Sequence, residues 1–543
     1  MSKDSSGADY FKLVSSNGDG SPLDSRAIER GLLAAIADTS AHAGSTRQEH
    51  MATLLGRFVY SDQDRHTVKG TSLALALLKI LGRQIDDSCE LGTERAITGL
   101  LSIALEMKDL AEENDIYEQP NYAVDACNEA LTCVANTMLL LPRTRRLFAD
   151  DCHGADAVDG LLRSKVADLA TTAFLCGRCL LVSLETPAAA AYCVSSLGLQ
   201  VTLARVIRSY LERCESPALG GRFSPHQVMS ELFKAAMSLC VYYERSVSRV
   251  ASDKAAGDDD SLPPEHAAKF VDILKVSLDT LCKLPLSSGH LDDPAKQAVG
   301  IALNFPTLTP DSVLRCWLPA DDVADITAEQ GVYQYIDRIY QLFATLVDTA
   351  ADGSLVKTEI TPLALVLVRL VTEHTDVRER IFYNVFPKDT CYEELPEDRP
   401  GIWGKLVRLM RVPEGGMLAG AIGDFLLAVL GQDVAKFVLA VGYGNAAGYM
   451  LARGIEIPES VIRQVRESEQ MVDPVTGSYL NREDVDRELA NMTDEEKERE
   501  AERLFVLFER LNKTGFIKVD NPVRAAMDSG RFQEIEESKS DDS

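Results

Sequence analysis

The chain has 543 residues, of which 46% are hydrophobic and 26% charged, as in globular proteins. Its formal net charge of −27 argues against nucleic-acid binding and against a polybasic membrane anchor, since both need clustered positive charge. No run approaches the roughly 18 consecutive apolar residues of a membrane-spanning helix. The Met-Ser start has neither the apolar core of a signal peptide nor a myristoylation glycine, so we predict a cytoplasmic protein.

The N-terminal segment, residues 1–26, is rich in Ser, Gly and Asp, and we predict that it is disordered. From residue 27 to 454 the apolar residues follow a helical period. Their spacing of i, i+3, i+4, i+7 and i+8 predicts an apolar stripe on each of several helices. Three such stripes are Leu131, Val134, Ala135, Met138 and Leu139; Leu232, Ala235, Ala236, Leu239 and Cys240; and Leu363, Val366, Leu367, Leu370 and Val371.

Short breakers divide this helical region into units of a few tens of residues. The breakers are Pro142, Thr186-Pro187, Pro225, Pro306, Pro362 and Pro400-Gly401. Helix after helix at this period predicts an all-α fold, an armadillo- or HEAT-type repeat solenoid over residues 27–454. Residues 252–265 are acidic and contain prolines, which indicates a solvated loop inside the solenoid.

The chain changes character after residue 454. Residues 455–492 have few apolar anchors and are predicted to form a linker. Thr493 and Glu496 then form a capping box, which predicts an amphipathic helix over 493–515 with Phe505, Phe508 and Leu511 on its apolar face. This C-terminal extension helix would dock either on the solenoid or on a partner, and residues 516–543 are predicted to be an acidic, largely disordered tail.

Motifs that carry chemistry are absent from the sequence. Cys176-Gly-Arg-Cys179 is a CxxC inside a helical run, without the strand of a redox fold or further metal ligands, so we interpret it as two core thiols. The eight histidines are dispersed, and no phosphate-binding glycine loop follows a strand. We predict no metal, no cofactor and no covalent chemistry, hence a binding protein and not an enzyme.

Five segments in the C-terminal half resemble motifs of the synembryn family, the type named for resistance to inhibitors of cholinesterase. They are Gly404–Met410, Tyr443–Gly448, Leu451–Gly454, Asp473–Gly477 and Met492–Glu498. The family usually has Asn where this chain has Gly404. Segments of the N-terminal half resemble the family more loosely: Leu78–Arg83, Arg178–Leu181 and Gln297–Pro306. The Asp-rich loop and the divergent repeats favour a fungal-like branch.

The resemblance implies a guanine-nucleotide exchange factor and folding chaperone for heterotrimeric G-protein α subunits (Gα). It implies that the concave solenoid groove binds the C-terminal helix of Gα and stabilises the nucleotide-free state. The expected partner is therefore Gα, both GDP-bound and nucleotide-free. The protein is expected to be a monomer that Gα recruits to the cell cortex or plasma membrane. The alternative is an armadillo-type adaptor that binds a linear peptide and has no exchange activity, although Trp317 and Trp403 alone cannot supply a tryptophan ladder.

Candidate partner-binding residues fall into four groups. The asparagines Asn136 and Asn304 occupy inward positions of armadillo-like helices by pattern. Arginine forks suit carboxylates, which selects Arg83, Arg178, Arg378 and Arg380; pairing within the molecule is the alternative for each. Lys405 and Arg408 share a helix face and are equally open to contact or pairing. Tyr443 and Asn445 belong to the motif around Gly444, which predicts a rigid turn between helices, and Phe505, Phe508 and Leu511 complete the set.

Phosphorylation sites have weaker support. Ser468, Thr493 and Ser538 are the candidates, the last two because an acid stands three residues on. A cap at Thr493 is the better interpretation of that residue.

Overall fold

The computed structural model describes residues 10–16, 23–38, 45–62, 64–84, 89–214, 222–252, 266, 268–286, 290–304, 333–350, 357–387, 395–411, 416–455 and 493. Within these ranges the regular structure is helical and no strand occurs, which confirms the all-α prediction. No single helix among the described residues combines the length and apolarity needed to cross a membrane. One pair passes jointly by length and composition, residues 187–197 with 199–213, and it is bent by 76°.

The helices follow one another along the chain. The N-terminal ones are α1 (Tyr10–Ser16), α2 (Ser25–Ala37), α3 (Ser45–Leu54), α4 (Val68–Leu81), α5 (Glu94–Glu112), α6 (Tyr122–Leu140) and α7 (Arg143–Arg146). Next come α8 (Gly154–Arg163), α9 (Ala170–Ser183), α10 (Pro187–Tyr192), α11 (Leu199–Arg213), α12 (Pro225–Ser252), α13 (Val271–Lys283) and α14 (Asp293–Asn304). The last are α15 (Gln334–Ala350), α16 (Lys357–Glu373), α17 (Thr375–Val385), α18 (Ile402–Met410), α19 (Gly416–Val429), α20 (Val434–Val441) and α21 (Tyr443–Ala452).

The chain divides into two compact units, Met1–Lys388 with Arg408–Gln432, and Asp389–Val407 with Asp433–Ser543. In the first unit the helices pack in two rows. The long row runs α4, α6, α9, α12, α14, α16 and α19, each packed on the next. The short row runs α5, α8, α11, α13 and α15 in the same manner. Successive members of the two rows also pack on each other, for example α5 on α6 and α11 on α12, which gives two layers around one core.

Two successive groups of helices within the first compact unit are connected by the same unusual backbone turn. A π turn spans Leu147–Asp151, His153 follows in the left-handed conformation with φ 50°, and α8 begins. In the next helix group a π turn spans Cys193–Leu197, Gly198 has φ 66°, and α11 begins. Another π turn, Leu55–Val59, follows α3. The recurrence of one turn geometry shows that these two helix groups are built on a common local plan.

Arginine side chains close several helix C-termini. The last carbonyls of a helix have no partner within it, and a cation there also complements the helix dipole. Arg47 donates to the carbonyls of Leu81 and Ile80 at the end of α4, at 2.9 and 3.0 Å. The same device recurs in Arg145 to Met138, Arg338 to Leu281 and Leu284, and Arg369 to Leu303. Since each arginine comes from another element, these bonds also fix how neighbouring helices meet.

Two sequence predictions about local structure are wrong. The N-terminal segment is not disordered over Tyr10–Ser16: this stretch is α1, and Tyr10 is fully buried with its hydroxyl donating to Asp64 at 2.7 Å. Pro362 does not break a helix, because it lies within α16. The proline costs one backbone hydrogen bond, and the buried side chains of Ile360 and Leu363 offset that loss.

The three predicted apolar stripes lie on α6, α12 and α16 and are buried with one exception. That exception is Leu139, which is 45% exposed near the end of α6.

Candidate partner-binding surface

Polar contacts join neighbouring helices along the long row. Lys79 on α4 donates to Glu129 on α6 at 2.6 Å, and Thr172 on α9 donates to Asn128 on α6 at 2.8 Å. Farther along the row, Arg178 on α9 forms an ion pair with Glu231 on α12. All these positions lie on adjacent helices of one layer, so the long row has a polar seam at each of these junctions.

An arginine–aromatic stack lies at the junction of α9 and α12. The rings of Phe174 and Phe223 are stacked, with centroids 3.9 Å apart and planes 10° apart. Arg178 lies over Phe174 at 5.2 Å, and Arg222 lies over Phe223 at 5.5 Å. Both rings are half-buried and Arg222 is exposed. Such a stack offers aromatic ring edges and guanidinium N–H groups together, which suits a segment that carries both an apolar side chain and a carboxylate.

The carboxylate of Glu231 fixes one end of this stack. Glu231 is fully buried, and Lys234 lies 3.5 Å away on the same helix as a second cation. A buried carboxylate needs such pairing because desolvation of an isolated charge is expensive. Arg178 therefore has a demonstrated partner within the molecule, and its predicted role at a partner remains a prediction.

The other predicted arginines differ in their surroundings. Arg380 on α17 makes a two-pronged contact with Asp337 at 2.6 Å for each prong and lies over the ring of Tyr333. Arg378, also on α17, is half-buried and has no ion pair among the described residues; its guanidinium lies 3.9 Å from the place a side chain would take at Gly431. Arg83 is exposed directly after α4. No contact within the described ranges brings Arg83, Arg178 and the α17 pair together.

The two predicted asparagines lie on the long row. Asn136 is half-buried on α6, and its side chain has no hydrogen-bond partner within the described part of the chain. Asn304 ends α14, and its side chain lies outside the described set. Asn136 thus keeps the hydrogen-bonding capacity that a partner's backbone would need.

The motif around Tyr443 forms a corner in the second unit, and its predicted position needs correction. We expected the turn at Tyr443, Gly444 and Asn445, but these residues form the first turn of α21. The left-handed residue is Gly442, with φ 82°, between α20 and α21. Asn445 donates to the carbonyl of Val441 at 2.7 Å and so closes the end of α20. The motif therefore serves the architecture, as glycine alone tolerates this backbone angle freely.

Some of the remaining predicted residues lie within the described ranges and others lie outside them. Lys405 is half-buried and Arg408 exposed, both on α18, and each has interactions within the chain. Thr493 is exposed. Phe505, Phe508, Leu511, Ser468 and Ser538 lie outside the described residues, as do the predicted acidic loop after Ser252 and the linker and tail beyond residue 455, Thr493 apart.

The CxxC is a pair of core thiols, as predicted. Cys176 and Cys179 are fully buried on α9, and Cys179 is a weak donor toward the carbonyl of Leu131 at 3.9 Å. Burial raises the pKa of Cys179 to about 12, and burial likewise raises the pKa of Cys176. Thiols that remain protonated this far above neutral pH are poor nucleophiles and poor metal ligands.

Comparison with known proteins decides the family. A family model described as guanine nucleotide exchange factor synembryn, Ric8, matches residues 74–531. The chain belongs to the synembryn family. Proteins named chaperone Ric-8A are similar to this chain: that of Xenopus tropicalis is 28% identical over 224 residues, and that of Xenopus laevis is 28% identical over 269. These alignments cover 38% and 47% of this chain and 40% and 48% of the relatives, less than half of each.

The sequence did not point to four residues of this surface: Phe174, Arg222, Phe223 and Glu231. One signal was available for Glu231, which is a carboxylate inside the apolar stripe of α12 and therefore needs a buried cation. Phe174 reads as an ordinary core residue. Nothing in the sequence places Phe223, which precedes α12, against a ring on another helix.

Proposed function

We propose that this protein is a guanine-nucleotide exchange factor and folding chaperone for Gα subunits. The observation that carries the proposal is the family match over residues 74–531. The relatives named chaperone Ric-8A support the chaperone half of it. The partner is Gα in its GDP-bound and nucleotide-free forms. The protein works as a monomer in the cytoplasm and reaches the membrane through Gα.

The two rows of helices support the proposed architecture, a repeat solenoid of armadillo type. In such a fold each unit contacts its neighbours in sequence, which is how α4, α6, α9, α12, α14, α16 and α19 follow one another. The left-handed corners at His153 and Gly198 recur at a spacing within the range of armadillo units. In the proposal, the exposed side of the long row lines the groove that receives the Gα C-terminal helix.

Within that groove the arginine–aromatic stack is the proposed contact for the end of the Gα helix. Phe174 and Phe223 give an apolar ledge, and Arg178 and Arg222 present guanidinium groups beside it. Asn136 has hydrogen-bonding capacity left for the backbone of the bound helix. Arg83, Asn304, Arg378, Arg380, Lys405 and Arg408 are further proposed contacts. Phe505, Phe508 and Leu511 are the proposed anchors of the C-terminal helix on Gα.

Exchange follows from differential binding. When the groove holds the Gα C-terminal helix away from its seat, the nucleotide site loses a support and GDP dissociates. The protein binds the empty state more tightly than the GDP-bound state, so nucleotide and exchange factor weaken each other's affinity by one shared factor. Holding the empty subunit until GTP arrives is also what a folding chaperone must do. No group of the exchange factor takes part in a covalent step.

The release of labelled GDP from Gα tests this proposal. The protein should accelerate release at least tenfold, and the double substitution Arg222→Ala, Phe223→Ala should remove most of that acceleration. Val201→Ala is the matched control, because Val201 is half-exposed on α11 in the short row. An unchanged rate of GDP release, with peptide binding retained, would favour the adaptor alternative.

A further inference from the structure

The connection between α5 and α6 presents one tyrosine to solvent. Ile116 is buried and holds the connection on the body of the first unit, and the next residue, Tyr117, is 50% exposed. No hydrogen bond of the Tyr117 hydroxyl occurs within the described residues. Tyr117 therefore follows a buried anchor in the chain and is itself half exposed to solvent.

The backbone around Tyr117 has a defined turn. The Tyr117 N–H donates to the Asp115 carboxylate at 3.0 Å, and the Glu118 N–H donates to the Asp115 carbonyl at 3.1 Å. The Asn121 side chain donates to the same carbonyl at 3.2 Å. Asp115 therefore organises both sides of the tyrosine, as an Asx-type turn does.

Acidic side chains surround this tyrosine in sequence. Glu113, Asp115 and Glu118 are exposed, and Glu112 is half-buried and accepts a hydrogen bond from the Lys165 N–H at 2.6 Å. Two other exposed tyrosines lack this setting. Tyr192 donates its hydroxyl to Asp156 at 2.7 Å, and Tyr383 has no acid within three residues.

We propose that Tyr117 is a phosphorylation site for a tyrosine kinase whose peptide groove is basic. Cationic side chains of such a groove pair with Glu113, Asp115 and Glu118, and these pairs place the Tyr117 hydroxyl at the γ-phosphate of ATP. The phenol oxygen forms a bond to the γ-phosphorus as the bond from that phosphorus to the bridging oxygen of ADP breaks. The phenol proton goes to the general base of the kinase, and ADP leaves.

The surroundings of Tyr117 accommodate the added charge. A phosphotyrosine carries a charge of about −1.5 to −2 at neutral pH, and neighbouring acids repel it. Arg213 near the end of α11 lies within electrostatic range of the Tyr117 hydroxyl, and its guanidinium already binds Asp168 at 2.6 Å. A cation within this range offsets part of the repulsion between the phosphate and the neighbouring acids.

The rate of phosphate incorporation at each tyrosine tests the site. The full-length protein is incubated with ATP and a tyrosine kinase that selects acidic peptides, and phosphopeptides are quantified by mass spectrometry over time. We expect Tyr117 to be modified at least tenfold faster than Tyr192 and Tyr383, which are similarly exposed. Equal or slower modification of Tyr117 would overturn the proposal.

A charge-reversal variant separates acidic recognition from exposure alone. Glu113 and Glu118 are exposed, and their side chains form no hydrogen bond or ion pair among the described residues, so E113K/E118K should leave the fold intact. Helix content by circular dichroism checks this. The rate at Tyr117 should fall at least tenfold in the variant. A rate at Tyr117 that does not change would show that the acids are not recognised and would contradict the proposal.

Discussion

His153 and Gly198 occupy equivalent corners of two successive helical units. Each follows a π turn and precedes the first residue of a short-row helix, and each has a positive φ, 50° and 66°. Glycine adopts this conformation without steric cost, whereas a residue with a Cβ is strained by roughly 1–2 kcal/mol. One corner therefore has the favoured residue and the other stores strain.

Replacing His153 with glycine should stabilise the protein. His153→Gly removes the strain, and part of the gain is lost because glycine gains entropy in the unfolded chain. We expect the free energy of unfolding to rise by up to about 1 kcal/mol. Urea unfolding followed by the circular dichroism of the helices measures it. Gly198→Ala is the reciprocal change and should lower it by about 1–2 kcal/mol, since no heavy atom within 4 Å would meet the new Cβ and the backbone angle alone decides. An unchanged free energy of unfolding in Gly198→Ala would contradict the left-handed conformation at this position.

Replacing Gly404 with asparagine, the residue that the family usually has there, should destabilise the protein. A Cβ built at Gly404 would lie 2.1 Å from the carbonyl oxygen of Arg399, and that oxygen belongs to rigid backbone. Gly404→Asn should therefore lower the free energy of unfolding by about 2 kcal/mol or more, measured by thermal or urea unfolding. Gly448→Ala in α21 is the matched control: nothing lies within 4 Å, so it should raise stability by about 1 kcal/mol. Equal effects of both substitutions would refute the steric argument.

A double-mutant cycle separates the two roles of Arg178. Arg178→Met leaves Glu231 buried without its main cation, which should cost about 3–5 kcal/mol of stability. Adding Glu231→Leu removes the unpaired charge and should restore most of that loss. We expect the affinity of the double variant for nucleotide-free Gα to remain reduced, because the proposed contact is still missing. Recovery of affinity together with stability would show that Arg178 acts only through the fold.

Alkaline pH should destabilise the protein through its buried thiols. Burial raises the pKa of Cys127 and of Cys179 from 9.0 to about 12. Because the pKa of each thiol is higher in the folded than in the unfolded chain, the contribution of the protonated thiol to the free energy of unfolding is fully present below pH 9. It is lost between pH 9 and about 12. Each thiol should contribute a loss of about 1.4 kcal/mol per pH unit in that window. Urea unfolding at pH 8, 9 and 10 measures it.

Thiol labelling gives the matching kinetic test. At pH 8 a thiol reagent should modify Cys89, which is exposed, well before Cys127 and Cys179, which are buried. Labelling of all three at one rate would mean that the native core is open.

The sequence predicted the helices well and the contacts between them poorly. Apolar stripes such as Leu232 to Cys240 report a buried face directly, because burial follows the period of the helix. Tyr10 escaped prediction because its partner Asp64 is distant in the chain, and the polar composition around α1 hides one buried aromatic pair. Pro362 misled because a local rule was overridden by the burial of α16.

The candidate surface shows the same limit. The sequence offered Arg178 as a candidate because its guanidinium suits a carboxylate, and Asn136 because of its place in the armadillo pattern; both roles stay predictions. It could not predict that Glu231 pairs with Arg178 or that Phe223 stacks on Phe174, because both contacts join residues about 50 positions apart in the chain. The turn near Tyr443 was misplaced by one residue, since several glycines compete for one left-handed position and only packing selects Gly442.

Calorimetric titration of the protein with nucleotide-free and with GDP-bound Gα tests exchange by differential binding. Exchange by differential binding requires the empty subunit to bind more tightly, and a tenfold difference corresponds to about 1.4 kcal/mol of coupling. We predict at least that difference, and we predict that added GDP releases the complex. Equal affinities for nucleotide-free and GDP-bound Gα would contradict exchange by differential binding.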